Sequence, residues 1–98
     1  MKYIFDFDID EISTKDLKAN ISSDEILHKD KILAYLRSFS PIAYSSEPVV
    51  DKLDGTKTKY IDNLRQDDNF RWSESEIYHF EKYDLKLNDD FVHHVLSK

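Results

Sequence analysis

Three times along its length this chain repeats one short phrase: an apolar residue, a serine, two free positions, an acid and a second apolar residue. Ile12-Ser13-x-x-Asp16-Leu17, Ile21-Ser22-x-x-Glu25-Ile26 and Trp72-Ser73-x-x-Glu76-Ile77 all fit it. The spacing is that of a helix start. A serine at the N-cap accepts a hydrogen bond from the backbone N–H three residues on, and the acid at that position reaches back. The flanking apolar pair then staples the entering chain to the first turn. Asn88 makes a fourth start, with Asp89 and Asp90 at the positive end of the helix. About four helices are therefore expected. The first is short and ends at Asn20, a residue that tolerates a left-handed C-cap. The second runs from about Ser23 to Arg37 and is stopped by Ser40-Pro41. The third reaches about Tyr83, and the last carries Phe91, Val92, Val95 and Leu96 as its apolar stripe.

Between the helices the period falls to two. Residues 2–10 alternate, with Tyr3, Phe5, Phe7 and Ile9 on one face and Asp6, Asp8 and Asp10 on the other, where Ile4 joins them. That predicts a half-buried strand. Strand signals return from Ile42 to Leu64, with Val49–Leu53 and Thr56–Ile61 flanking Asp54-Gly55. Asp-Gly between two such runs predicts a type I′ hairpin, which needs positive φ at both central residues. Residues 63–69, NLRQDDN, read as a polar loop presenting Asp67 and Asp68. The fold class that follows is α+β: a small, mostly antiparallel sheet packed against about four helices. One domain, 1–98, is expected, because two pieces of a 98-residue chain would each be too small to bury an adequate core.

Charge and composition narrow the function. Net charge is −6, from 20 acidic against 14 basic residues, which disfavours direct nucleic-acid binding and suits a basic partner. There is no cysteine, so no disulfide and no thiolate metal site is expected. The opening MKYIFDFDIDE lacks an apolar h-region, and no apolar run is long enough for a bilayer. A cytoplasmic protein with no membrane partner is the expectation.

No catalytic constellation emerges. Asp6-x-Asp8 resembles the nucleophile motif of haloacid-dehalogenase-type phosphatases, but Asp10 stands where that pattern wants Thr or Val. Asp6-x-Asp8-x-Asp10 also resembles the start of an EF-hand loop, yet Glu11 occupies the position that needs glycine. His93 and His94 point about 100° apart on a helix and cannot grip one metal as an i, i+4 pair would. Glu74, Glu76 and Glu81 read as helix-surface and capping carboxylates, and His28 as solvated. No enzyme, no catalytic residue, no cofactor and no metal is expected. The candidate partner-binding residues are instead Asp6, Asp8, Asp10, Glu11, Asp67 and Asp68. The plainer reading of the three N-terminal aspartates is a solvated strand face that discourages edge pairing.

One stretch carries a resemblance. Asp51 follows a strand; Asp68-Asn69-Phe70-Arg71-Trp72 leads into Tyr78-His79-Phe80, Lys82-Tyr83, Leu87 and Asp90-Phe91-Val92. This pattern resembles small bacterial immunity proteins of contact-dependent growth inhibition and other polymorphic toxin systems. Asn69 stands where a common variant has Gly, and Asn88 where it has Pro. The resemblance implies a cytoplasmic protein that binds the C-terminal domain of one cognate toxin and neutralises it. Many such toxins are basic nucleases, often acting on tRNA, and an acidic inhibitor can cover their substrate surface. Two other readings suit an acidic stable surface: a regulatory or adaptor protein that binds a host protein, and a nucleic-acid mimic directed at a nuclease or DNA-binding protein.

Overall fold

Trp72 and Ile77, the apolar pair around the third serine, are both fully buried, and the fold closes around them. The computed structural model describes residues 1–98. Its elements are β1 (Lys2–Tyr3), α1 (Thr14–Ala19), α2 (Lys29–Arg37), β2 (Pro48–Val50), β3 (Lys57–Ile61), β4 (Leu64–Gln66), β5 (Phe70–Ser73), α3 (Glu74–Tyr83) and α4 (Asp89–Leu96). The architecture is α+β, with four helices and two small sheets. One sheet has the order β1-β5-β4, with β1 parallel and β4 antiparallel to β5. The other is the antiparallel pair β2-β3. No helix is long and apolar enough to cross a membrane.

Strand β5 is the hinge of the design. Its alternation sends Phe70 and Trp72 into the core and leaves Arg71 and Ser73 half-buried on the other face. Ser73 then caps α3, accepting from the Glu76 N–H while the Glu76 carboxylate accepts from the Ser73 N–H, a complete capping box. The core is one cluster of 15 buried residues, including Ile4, Leu17, Ile32, Leu36, Phe80, Leu85 and Phe91. The indole N–H of Trp72 donates to the Leu36 carbonyl at 3.1 Å, which satisfies the one polar atom that its burial brings inside.

Ser13 caps α1 and Asn88 caps α4, as the spacing predicts. Elsewhere tertiary contacts override local pattern. The expected strand over residues 2–10 pairs only at Lys2 and Tyr3 and then bends. Asn88 takes the carbonyls of Tyr3 and Ile4 with its side-chain and backbone N–H groups. The backbone thus leaves the sheet, so Ile4 is buried and Tyr3 is 61% exposed, against the alternation, while Phe5 and Ile9 stay buried and Asp6, Asp8 and Asp10 exposed as it predicts. Helix α2 starts at Lys29, not Ser23, and is entered through His28 in the left-handed region with φ 58°. Ser22 is no cap: the chain at Ile21 pairs with Leu85, and the Ser22 N–H is taken by the Asp84 carbonyl.

Three smaller expectations also change. Asn20 ends α1 at φ −95°, outside the left-handed region. Gly55 has φ +75° but Asp54 is not left-handed, so the β2–β3 connection is not a type I′ turn. It is a longer turn in which Asp51 N–H donates to Thr56 and Gly55 N–H donates to Asp51. The polar run 63–69 contains β4, and only its end is the turn into β5.

Candidate functional site: an acidic arm and the buried carboxylates behind it

Asp51 and the acidic residues singled out in the sequence fall into two groups. Asp51 belongs to the first, with 0% exposure at the end of β2. One of its oxygens accepts from Tyr83 Oη at 2.6 Å, Tyr78 Oη at 2.7 Å and Lys82 Nζ at 3.0 Å. The other accepts the backbone N–H groups of Leu53 and Asp54. Burial alone would raise its pKa, but the phenols, the ammonium and the backbone donors outweigh burial and hold it well below the usual carboxylate range. Burial, and then donation to this carboxylate, disfavour the ionisation of Tyr78 and Tyr83, raising the Tyr83 pKa to about 12. Neither phenol is free to act as a base. Beside them His79 is buried and neutral: its Nδ1–H donates to the Ser75 carbonyl and its Nε2 accepts from Lys52 N–H. The group works as a clasp between the hairpin turn and α3.

Asp67 is built the same way. Its Oδ1 accepts the N–H groups of Asn69 and Phe70, which makes the tight turn from β4 to β5. Its Oδ2 accepts from Tyr35 Oη at 2.5 Å and from His94 Nε2 at 2.8 Å. The side chain is 5% exposed, and these donors outweigh burial to keep it ionised. Asp67 therefore ties α2, α4 and the β4–β5 turn together, and its neighbour Asp68 alone faces outward.

Asp6, Asp8, Asp10 and Glu11 form the second population. All four are exposed, and none is in an ion pair with a cation of its own chain. Asp8 has a local task as well, since its Oδ1 accepts the Asp10 N–H and turns the chain toward Ile12. The arm does not lie flat. With β4, β5 and the start of α3 it walls a groove of about 550 Å³, lined by Tyr3, Phe5, Phe7 and the three aspartates on one side. Ile9, Leu64, Arg71, Ser73 and Glu76 complete it. Phe5 and Phe7 stack at 4.7 Å with an 8° tilt.

At the groove lies Glu76, 9% exposed. Burial raises its pKa to about 7; bonds from Ser73 pull the other way, while the charges of Asp10 and Asp62 add to the rise. No group of three or more His, Asp or Glu side chains is placed to hold a metal ion. Comparison with family models, with curated proteins and with solved structures returns no match.

The structure thus brings Asp6, Asp8 and Asp10 together along one groove, leaves Glu11 exposed beyond it, and puts Asp67 and Asp68 at a separate turn. Glu76 and Arg71 are groove residues that the sequence does not announce. The capping pattern accounts for Glu76 fully as a helix-start acid, and nothing in the spacing shows that the arm folds over it. Asp51 does stand in the quoted pattern together with Tyr78, Lys82 and Tyr83, but their convergence on one carboxylate is a tertiary fact.

Proposed function

We propose that this chain is an immunity protein: it binds the C-terminal domain of a cognate bacterial toxin in the cytoplasm and neutralises it, the toxin domain being a basic nuclease. The observation that carries the reading is the contrast between the two carboxylate populations. Asp51 and Asp67 are held inside by phenols, cations and backbone donors, whereas Asp6, Asp8, Asp10, Glu11 and Asp68 are exposed and unpaired. Solvated carboxylates on a firmly packed scaffold can stand in for phosphates and take Arg or Lys from a partner. The resemblance of the 68–92 stretch to immunity proteins supports the same reading.

The test is co-expression with the C-terminal domain of the toxin encoded directly upstream. Growth should be restored in cells carrying both genes. Continued arrest with both proteins present at comparable levels would sink the reading.

A further inference from the structure

The groove under the acidic arm has features that a merely solvated surface lacks. Glu76 is nine-tenths buried, yet only its Oε1 is engaged, accepting from the Ser73 N–H at 3.0 Å and the Ser73 hydroxyl at 3.2 Å. A carboxylate has room for about four hydrogen bonds, and Oε2 takes part in none. Arg71 lines the same groove: its Nη2 donates to Gln66 at 3.3 Å, while its buried Nε has no partner. Of these two groove residues, Glu76 thus keeps one oxygen free of any bond to its own chain, whereas the unmatched Arg71 Nε is enclosed within the protein.

We propose that this groove is the socket for one arginine side chain of the protein partner, its guanidinium held between Glu76 Oε2 and the aspartates of the arm and stacked on the Phe7 ring. The inference rests on the reading that the partner is a basic protein. The lining decides the charge: Asp6, Asp8, Asp10 and Glu76 face a single cation, Arg71. It also decides between the two basic side chains. A planar guanidinium presents five N–H donors in one plane, is weakly hydrated and stacks on aromatic faces, whereas an ammonium is a compact, strongly hydrated point charge. Phe7 is half-buried and braced flat against the buried Phe5, which provides the stacking surface.

The alternation of β5 makes this arrangement possible. Phe70 and Trp72 fix the strand in the core, and Arg71 is carried to the groove face by the same pleat. The capping box holds Glu76 from the other side, so the acceptor is oriented before any partner arrives.

The test needs no toxin. The isotope-labelled full chain is titrated with N-acetyl-arginine-methylamide and, in parallel, with the lysine and citrulline analogues, following backbone amide shifts. Saturable shifts confined to residues 6–10, Arg71, Ser73 and Glu76 are expected for arginine, with citrulline weaker by about tenfold, the size of one charge-assisted hydrogen bond. Glu76→Gln keeps the acceptor oxygen of the cap and should lower arginine affinity by a similar factor, about tenfold. Thermal melts confirm that this variant folds. The proposal is overturned if arginine gives no saturable shifts, if citrulline or lysine binds as well, or if Glu76→Gln changes nothing. Failure here with growth rescued in co-expression removes the socket and leaves the immunity reading standing. Arginine binding without rescue does the reverse.

Discussion

Asp51 carries a full charge with no exposed surface, and every lone pair that matters is occupied by a named donor. Replacing it with asparagine keeps the shape but turns one acceptor oxygen into an NH₂ group facing two phenols and an ammonium. The cost is expected to be about 3 kcal/mol, as for removing one partner of a buried charged network. Urea denaturation at pH 7 measures it; equal midpoints would mean that the clasp is dispensable. The pH dependence has a definite sign. The folded pKa lies below the unfolded value, so the stabilisation is complete above about pH 5 and is lost as pH falls through the acid range. The gap between wild type and Asp51→Asn should therefore narrow below about pH 4. Glu76 has the opposite sign. Its pKa is raised to about 7, so its ionisation costs stability as pH rises from the ordinary carboxylate range toward neutrality.

At the scale of elements, one six-residue phrase gives different outcomes. Ser13 and Ser73 cap helices, while Ser22 folds its hydroxyl onto Asp24 and leads into an extended pairing with 84–86. Ser73→Ala should cost about 1–2 kcal/mol, because it removes the cap and the hydroxyl that donates to Glu76. Ser22→Ala should stay within about 0.5 kcal/mol. Chemical denaturation of the pair checks this; a Ser22→Ala loss as large as that of Ser73→Ala would mean that Ser22 is an essential anchor of its own. The contrast shows what was legible. The helix starts at Ser13, Ser73 and Asn88, the buried stripe of Phe91 and Val95 and the central place of Trp72 depend on residues within a turn or two, and they can be read locally. The path of residues 4–10 depends on Asn88, and the start of α2 depends on residues 84–86, far along the chain. Strand β4 lies inside a polar run because its residues are only half-buried, so no apolar alternation marks it. The candidate site divides in the same way: three exposed aspartates are visible as a pattern, whereas the groove beneath them is assembled by contacts that the pattern does not contain.

Across the whole molecule, the arm carries carboxylates that form no ion pair, with Arg71 in the groove wall and Lys52 Nζ on the Asp10 carbonyl as the nearby cations, while Lys57 and Lys59 of β3 lie on a separate sheet. For a basic partner such an arrangement acts first on encounter, over a Debye length of about 8 Å at physiological salt. Asp6 and Asp10 can test it cleanly, because neither side chain makes a hydrogen bond within the chain, whereas Asp8 holds the turn and should be left intact. The double variant Asp6→Lys/Asp10→Lys should keep its melting temperature and slow association with the proposed toxin partner by about tenfold or more at low salt, with a flatter salt dependence. Asp67→Asn should do the opposite. It removes acceptor capacity from Tyr35, His94 and the β4–β5 turn, so it should lower stability while leaving the association rate close to wild type. Stopped-flow association at two salt concentrations, with melts on the same samples, separates the two roles. If the double variant associates at the wild-type rate and Asp67→Asn does not, the contact surface lies at the β4–β5 turn and the arm is only a solvated edge.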